Sequence, residues 1–514
     1  MATFQAGPPK GVVKDTNNLA ISPEFYSHAN NVRFEDGAAK KFTGHDAVFT
    51  APAVAPYFLI NWTTGTNSYW FYGGAAKLYR TDGSTNSDFT RASGGDYSLT
   101  ATQNWIGIVY NGLVILNNGV DDPQCLATTG ASKFTDLTNW PANTTCKSMR
   151  AFGNYLIALN VTESSTIYAN KVRWGDAAEN FALPSTWVAA ATNDAGAATV
   201  GDEGDFIVDG LQLASAFIIY KEQSIWLVNY IGGNLVFSFK KLFSDSGILS
   251  RNAVAEFNNK HFVVTQGDLI VHNGVSKQSV ATNSIRRELF DNIDSTNYGK
   301  TFVYHNKQKS EMWVCYPQIG STNCDKALIY NYVNNSFSFR DLPGIQHIAS
   351  GIVNPGSATV VWSGQSQSWE VYSTTDNWGE RGYNPAHMST LMAGTGDTKF
   401  YRADYGADFA GSNFTMTLER KGLTLDGNTN TVKSVRKLTP KAKGTGAANI
   451  FVGSSMSPNG TYTYTAAQSF DPNSQNKVDT RSTGKYIAVK FEQTTDKEFE
   501  LNGYDLEYEV LGER

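Results

Sequence analysis

Clustered carboxylates are the first side chains in this sequence whose spacing could support chemistry. Asp202, Glu203 and Asp205 lie within one GDEGD segment, so they could bind a cation or supply a carboxylate pair for hydrolysis. Their spacing differs from that of a DxDxDG calcium loop, and a solvated loop is the preferred interpretation. We therefore predict neither a metal site nor a catalytic pair here, and no catalytic, cofactor-binding or metal-binding residue elsewhere.

Basic and imidazole side chains are the next candidates, for phosphate contact and for metal binding. The basic run alternates with valines and a leucine, which predicts one solvated face of a strand; its members are Lys433, Arg436, Lys437, Lys441 and Lys443. The histidines have no metal-ligand spacing and are predicted to lie on the surface; they are His28, His45, His261, His272, His305, His347 and His387. The sequence has no zinc-protease, P-loop, serine-hydrolase or Rossmann motif, so we predict that the chain is not an enzyme.

Composition favours an all-β protein of two or three domains. The chain has 514 residues, of which 13% are aromatic and 17% charged, and Thr, Asn, Ser, Tyr, Phe and Val dominate it. Tryptophans could form platforms for sugars, but most of them lie in or beside strand-like runs, so we predict that they pack in the core. They are Trp62, Trp70, Trp105, Trp140, Trp174, Trp187, Trp226, Trp313, Trp362, Trp369 and Trp378.

Charge and hydropathy exclude several classes of protein. The formal net charge of −5 gives no surplus of Lys and Arg with which to hold DNA by counterion release. The sequence has no apolar stretch of the length of a signal peptide or a membrane span, so no membrane insertion is expected. The cysteines are far apart and predicted to be reduced, as in cytoplasm; they are Cys125, Cys146, Cys315 and Cys324.

Short apolar strands recur along the middle of the chain and predict its architecture. Their central residues are Trp70, Val114, Leu156, Ile218, Val263, Trp313 and Val360, at intervals of 44, 42, 62, 45, 50 and 47 residues. Most intervals match one four-stranded propeller blade of about 40–50 residues. We therefore predict a β-propeller of six or seven blades over residues 46–390, with a plain antiparallel sandwich as the alternative. The long interval predicts an insertion at 172–205.

The two ends of the chain differ in texture from the middle. Residues 391–514 alternate polar and apolar positions and predict a β-sandwich-like domain. Residues 1–45 are polar, and Asp36-Gly37 between two strand-like runs predicts a hairpin. We expect this segment to be an arm that reaches away from the propeller and contacts a neighbour. Phe25, Tyr26 and Phe34 are its candidate anchors.

Four segments, in order along nearly the whole chain, resemble segments of one family. They are ANNVRFEDGAAKKFTGH (29–45), VRWGD with a following STW (172–187), GLQLASAFIIYKEQSIWLV (210–228) and GYDLEYEVLGER (503–514). The family is the tail nozzle, or packaged-DNA stabilisation, proteins of short-tailed bacteriophages. The last segment ends in Gly-Glu-Arg where the family pattern has Gly-Arg-Arg.

The resemblance implies a structural virion protein rather than a catalyst. It implies a homo-hexamer that forms a ring below the portal and adaptor ring, retains packaged DNA and opens as a channel for ejection. Its expected partners are the adaptor ring, other tail proteins such as fibres, a needle or a plug, and double-stranded DNA in transient, non-specific passage. The expected location is the virion tail, after assembly in the host bacterial cytoplasm.

Two alternative functions remain open at this point. A carbohydrate-binding or carbohydrate-cleaving propeller would require a secretion signal and paired carboxylates at the propeller mouth, about 5–10 Å apart for catalysis. Another phage tail component that binds fibres or a receptor would be expected to form trimers and to have a repetitive shaft sequence. The sequence supplies neither set of features.

Overall fold

The computed structural model describes residues 1–64, 67–100, 103–201, 203–282, 284–353 and 388–513. About half of the chain, 53%, lies in strands and 3% is helical, as the predicted all-β fold requires. Within these ranges the helical segments are one α-helix, α1 (Arg286–Asn292), and three single 3₁₀ turns, Asn18–Ala20, Gly233–Leu235 and Tyr298–Lys300.

Seven short strands open the chain. They are β1 (Ala2–Ala6), β2 (Gly11–Val12), β3 (Phe25–Tyr26), β4 (His28–Asn30), β5 (Val32–Glu35), β6 (Ala38–Lys41) and β7 (His45–Val48). Asp36 and Gly37 both have positive φ, 55° and 71°, so β5 and β6 form the two-residue hairpin that the sequence predicts.

Five four-stranded antiparallel sheets follow in order, each with its strands side by side in chain order. Blade 1 contains β8 (Phe58–Thr64), β9 (Asn67–Gly73), β10 (Leu78–Thr81) and β11 (Asn86–Asp88); blade 2 contains β12 (Ile106–Tyr110), β13 (Leu113–Asn117), β14 (Gln124–Cys125) and β15 (Thr135–Asp136). Blade 3 contains β16 (Thr144–Phe152), β17 (Tyr155–Glu163), β18 (Thr166–Trp174) and β19 (Gly196–Thr199). Blade 4 contains β20 (Ile207–Leu213), β21 (Ala216–Lys221), β22 (Ile225–Gly232) and β23 (Val236–Phe243); blade 5 contains β24 (Val254–Phe257), β25 (Lys260–Val264), β26 (Leu269–His272) and β27 (Lys277–Ser279).

Blades 6 and 7 share one long strand. Blade 6 contains β28 (Phe302–Asn306), β29 (Glu311–Tyr316), β30 (Cys324–Asn331) and the first part of β31 (Ser336–Ile352). From Ile345 onward β31 becomes the first strand of blade 7, followed by β32 (Met388–Gly394) and β33 (Lys399–Ala403). The fourth strand of blade 7 is β7 from the N-terminal segment, which pairs antiparallel with β33.

The seven blades form a closed circle. The first strand of each blade contacts the first strand of the next, and the first strand of blade 7 contacts that of blade 1. The predicted β-propeller is therefore confirmed, with seven blades. Six of the predicted central residues lie in second strands, β9, β13, β17, β21, β25 and β29, and Val360 lies outside the described residues. These strands are buried on both faces, which is why they stand out as apolar runs.

The remaining strands form the predicted sandwich. They are β34 (Met416–Leu423), β35 (Thr431–Gly444), β36 (Ala448–Ser455), β37 (Thr463–Tyr464), β38 (Gln468–Phe470), β39 (Val478–Gly484), β40 (Tyr486–Gln493) and β41 (Phe499–Glu513). One sheet is built on β39, β35 and β41, the other on β34, β40 and β36. Their inner faces share an apolar core that includes Leu418, Val435, Val489 and Leu506.

The prediction of a free arm over residues 1–45 is wrong. β1 and β6 pair with β41, and β4 joins β34 of the sandwich to β31 of the propeller. Tyr26 and Phe34, on the paired strands β3 and β5, are buried in the shared core, and Phe25 is half-buried. The domain boundaries shift accordingly: the propeller begins with β7, at His45, and its last strand in the chain, β33, ends at Ala403. This lies beyond the predicted end at 390, because Leu391, Met392 and Ala393 belong to a buried strand of blade 7.

Candidate functional site

Asp205 of the acidic cluster links the loop between blades 3 and 4 to the turn between β21 and β22. Asp205 accepts hydrogen bonds from the backbone N–H of Gln223, at 2.8 Å, and from the hydroxyl of Ser224. Its carboxylate also lies 3.9 Å from the ammonium group of buried Lys221. Glu203 is exposed, and Asp202 lies outside the described residues. The geometry of Asp205 is therefore that of a carboxylate that holds two loops together.

The basic run is neutralised by acids on the neighbouring strand. β35 and β41 are antiparallel, and their outward-facing residues form ion pairs. These pairs are Arg436–Glu509 at 3.1 Å, Lys437–Glu507, Lys441–Asp505 at 2.8 Å and Lys443–Glu500 at 3.1 Å. Lys433 is buried and pairs with Asp426 at 3.0 Å. The predicted solvated strand face is therefore present for the other four residues of the run, which are paired with acids, and the prediction is wrong for Lys433, which is buried with its acid.

The prediction that the histidines lie on the surface is wrong. Three of them are buried and the other three in the described chain are half-buried. Burial lowers the pKa of His45 and His272 to about 3 and that of His261 to about 4. Each of these residues sits on a strand that is covered by a neighbouring blade or strand, so the imidazole fills core space in its neutral form. His387 lies outside the described residues.

His261 and His272 are joined through one tyrosine between blades 4 and 5. The hydroxyl of Tyr220 lies 2.7 Å from Nδ1 of His261 and 2.7 Å from Nε2 of His272. Nε2 of His261 faces the carbonyl of Gln212 at 2.9 Å, so that nitrogen must carry a proton. Tyr220 then donates to His261 and accepts from His272, whose Nδ1 accepts the N–H of Gly274 at 3.3 Å. The hydroxyl of Tyr220 thus donates one hydrogen bond and accepts one, and both imidazoles are neutral.

Tryptophans behave as the sequence predicts. Trp62, Trp70, Trp105, Trp174, Trp187 and Trp313 are buried, and Trp140 and Trp226 are half-buried. Trp362, Trp369 and Trp378 lie outside the described residues. The insertion predicted at 172–205 is the connection between β18 and β19, residues 175–195. Within this connection Asp176 accepts hydrogen bonds from the hydroxyl of Ser185 and from the N–H of Asp194. Trp187 packs edge-on against Trp140, which precedes blade 3.

A buried network of four charges joins the N-terminal segment to blades 6 and 7. Arg33 makes a bidentate ion pair with Glu311, and one of its nitrogens also lies 3.0 Å from Asp404. Arg340 lies 2.8 Å from the other oxygen of Asp404. Burial opposes the charge on Arg33, but Asp404 and Glu311 together raise its pKa. Phe42 lies under both guanidinium groups, at 4.3 and 5.0 Å.

The two carboxylates of this network are not placed to act on a substrate. The side chain of Glu311 is 1% exposed and that of Asp404 is 18% exposed, and each is hydrogen-bonded to arginine. A glycosidase pair needs access to the sugar and a proton that can be transferred. Glu311 and Asp404 therefore serve to anchor the N-terminal segment.

Side chains close the axis of the propeller. Arg150 of blade 3 is paired with buried Asp209 of blade 4 at 2.6 Å, and it also contacts Asn252 before blade 5. Arg251 donates to the carbonyls of Lys147 in blade 3 and Asn104 before blade 2, which lie across the circle from its own blade. On the other side of the axis, His347 of blade 7 packs on Phe58 of blade 1 and Phe302 of blade 6, with ring centroids 4.4 and 5.9 Å away.

Across the described ranges, no group of three or more His, Cys, Asp or Glu side chains could hold a metal ion. None of the helices in that part of the chain is long and apolar enough to cross a membrane. The four cysteines are free and buried.

The fold and its internally paired charges define a closed seven-bladed β-propeller that carries a β-sandwich. No family model matches the chain, and no curated protein matches its sequence. One similar solved structure is PorZ, an essential bacterial surface component of the type-IX secretion system of Porphyromonas gingivalis. It has 10% identity over 76% of this chain and 44% of that chain, with a TM-score of 0.35. Two structures of the extracellular domain of BT4673 from B. thetaiotaomicron have 11% identity. They cover 53% and 60% of this chain and 39% and 41% of their own, with TM-scores of 0.27 and 0.28. The chain thus spans about two fifths of these proteins.

Proposed function

We propose that this chain is a structural subunit of the tail nozzle of a short-tailed bacteriophage. In this proposal six copies form a ring below the portal and adaptor ring, retain packaged DNA and provide the channel for its ejection. The four ordered segments of resemblance are the basis of the proposal. The observation that best supports the proposal is structural: the contacts of segment 29–45 explain why that segment has its particular residue types.

Segment 29–45 supplies that observation. Its Asn31, Arg33, Phe42 and Gly44 all contact blade 6, and its last residue, His45, begins the strand that closes the propeller. In this chain the segment pairs with strands of both the propeller and the sandwich. The resemblance in this segment therefore falls on residues that hold the two parts of the fold together, as a structural subunit would require.

The closed axis bears on the path of DNA. Arg251, Arg150 and His347 occupy the centre of the propeller, so a duplex cannot pass through one subunit. A channel for DNA has to lie between copies, as it does in a ring. The neutralised basic strand and the net charge of −5 suit a neutral or acidic channel wall, which lets DNA slide because few phosphates displace counterions.

Electron microscopy of the phage particle tests this proposal. We expect a six-fold ring of this chain below the adaptor ring, and we expect particles that lack the chain to package DNA but lose it. Three-fold symmetry, a position in the fibres, or a channel lined chiefly by Lys and Arg would contradict the proposal. Absence of the chain from the particle would exclude it.

A further inference from the structure

Arg420, on β34 of the sandwich, is a buried cation that pairs with backbone carbonyls instead of an acid. The residue is 2% exposed. Its terminal nitrogens donate to the carbonyl of Asn18 at 3.1 Å, to that of Ile21 at 2.5 Å and to that of Lys421. Glu419, the adjacent acid in the chain, pairs with Lys421 at 3.0 Å. The positive charge of Arg420 is therefore not balanced by a carboxylate of the described residues.

Three comparably buried cations of this chain show how such a charge is balanced elsewhere. Arg33 pairs with Glu311 at 2.6 Å, Arg340 pairs with an aspartate at 2.8 Å, and Lys433 does so at 3.0 Å. Proteins pair buried charges in this way because an isolated charge is costly to remove from water. Arg420 departs from that pattern.

Two tyrosine hydroxyls in the same core also lack a partner. Tyr26 of β3 and Tyr504 of β41 are 1% and 0% exposed. Within the described ranges their hydroxyls, like Nε of Arg420, have no hydrogen-bond partner. Burial raises the pKa of both tyrosines, so each hydroxyl keeps its proton and can donate it. Buried polar atoms without a partner in the chain are rare and indicate a bound water or ion.

These three groups are neighbours although they come from three segments. Ser27, next to Tyr26, forms hydrogen bonds with the backbone on both sides of Arg420. Burial lowers the pKa of Arg420, and Tyr504, Tyr462 and Tyr26 raise it through their charges. Tyr504 also acts on the pKa of Tyr26, so each of the two tyrosines interacts with the guanidinium and with the other tyrosine.

We propose that a chloride ion binds between Arg420, Tyr26 and Tyr504. One N–H and two O–H groups are donors, so a ligand that only accepts hydrogen bonds fits them. A water molecule would leave the charge of Arg420 unbalanced, whereas a single anion balances it. An oxyanion such as phosphate would bring more acceptor oxygens into this buried place than three donors can satisfy. The ion would join the N-terminal segment to both sheets of the sandwich, and this site is independent of the proposed nozzle function.

Diffraction from crystals of the full chain grown in sodium bromide is the primary test. Bromide replaces chloride, and its anomalous scattering distinguishes it from water. We expect an anomalous peak within hydrogen-bonding distance of Nε of Arg420 and of the hydroxyls of Tyr26 and Tyr504. A water molecule at this position, or no peak, would overturn the inference.

Thermal melting in sodium chloride and in sodium gluconate of equal ionic strength tests the site in solution. The wild-type chain should melt about 2–3 °C higher in chloride once the ion exceeds its Kd about 100-fold. Tyr26→Phe and Tyr504→Phe each remove one donor and keep the ring, so both variants should lose most of this difference.

Tyr110→Phe is the matched control for the melting experiment. Tyr110 is 1% exposed, and its hydroxyl donates to the carbonyl of Asn154 at 2.6 Å. This variant should melt at a lower temperature but keep the full effect of chloride. Equal chloride effects in Tyr110→Phe and Tyr26→Phe, or a wild-type chain that melts at the same temperature in both salts, would overturn the inference. Neither result alters the particle test of the nozzle, so the two proposals can fail separately.

Discussion

Arg33 and Glu311 form a bidentate ion pair, with Nε–Oε1 and Nη2–Oε2 distances of 2.6 and 3.0 Å, between residues that are 278 positions apart in the chain. Both side chains are almost completely buried. A buried charge is tolerated when it is paired and hydrogen-bonded, and it is costly when its partner is removed. This pair therefore makes the N-terminal segment part of the propeller.

The first prediction follows from that pair. Glu311→Gln should lower the free energy of unfolding by about 3–5 kcal/mol, because Arg33 would keep its charge in a buried site with one acid instead of two. The exposed pair Lys443–Glu500 provides the control, and Lys443→Gln should cost less than about 1 kcal/mol. Thermal melting of the three chains measures the difference, and equal melting temperatures would contradict the assigned role.

The second prediction concerns the entry to the closing strand. A Cβ atom at Gly44 would lie 1.8 Å from the backbone oxygen of Asp408, so Gly44→Ala cannot be accommodated without a backbone shift. We expect Gly44→Ala to loosen β7 from β33 and to expose residues near 45–48 to limited proteolysis. Gly267→Ala is the control, because a Cβ atom at Gly267 would meet open space. This variant should resist proteolysis as well as the wild-type chain does. Identical digestion patterns would show that β7 does not depend on this close approach.

The third prediction is a loss of stability in mild acid. His45, His261 and His272 have a pKa of about 3 to 4 when folded, below the value of about 6.5 expected in the unfolded chain. The unfolded state therefore binds more protons, and the stability present above pH 6.5 falls as the pH drops toward 4. Each residue should remove about 1 kcal/mol per pH unit in that window. A melting temperature unchanged between pH 7 and pH 5 would contradict the burial of these side chains.

The fourth prediction concerns proton positions around Tyr220. Both His261 and His272 should carry their proton on Nε2 at neutral pH, which nitrogen NMR of the imidazoles can detect. Tyr220→Phe should cost about 1–3 kcal/mol, because it leaves two buried ring nitrogens without a partner. An Nδ1-protonated form of either histidine would refute the hydrogen-bond chain.

The fifth prediction concerns the acidic cluster. We expect no hydrolysis of glycans, nucleotides or peptides by the wild-type chain, and therefore none to be lost in Glu203→Gln or Asp205→Asn. Asp205→Asn should reduce stability modestly, because Asp205 accepts hydrogen bonds from Gln223 and Ser224. Substrate panels and melting curves on the same preparations separate the two effects. Hydrolysis that is reproducible in the wild type and lost in either variant would identify an enzyme.

The sequence allowed the propeller to be predicted because its signal is local. Strands such as β13 and β29 are buried on both faces, so they appear as continuous apolar runs at blade intervals. The Asp36-Gly37 hairpin was equally accessible, since two adjacent residues determine it. The sandwich followed from period-two alternation in the last section of the chain.

Long-range pairing explains what the sequence did not reveal. Ala2 pairs with Tyr508 and Asp46 with Arg402, and no local pattern indicates either partner, so residues 1–45 looked like an arm. Burial of the histidines is not predictable from the sequence, because it depends on neighbours in other strands and blades. One pattern in the sequence does indicate a partner: Asp505, Glu507 and Glu509 alternate along their strand as the basic residues do along β35. This pattern predicts the ion pairs between the two strands.

The closure of blade 7 also sets the order of events during synthesis. β7 leaves the ribosome early, but its partner β33 follows about 350 residues later. At roughly 5–20 residues per second, the strand waits roughly 20–70 s with its hydrogen-bonding edge unpaired. Exposed strand edges promote aggregation, so yield in the cell should depend on how fast translation proceeds and on chaperones that cover nascent strands.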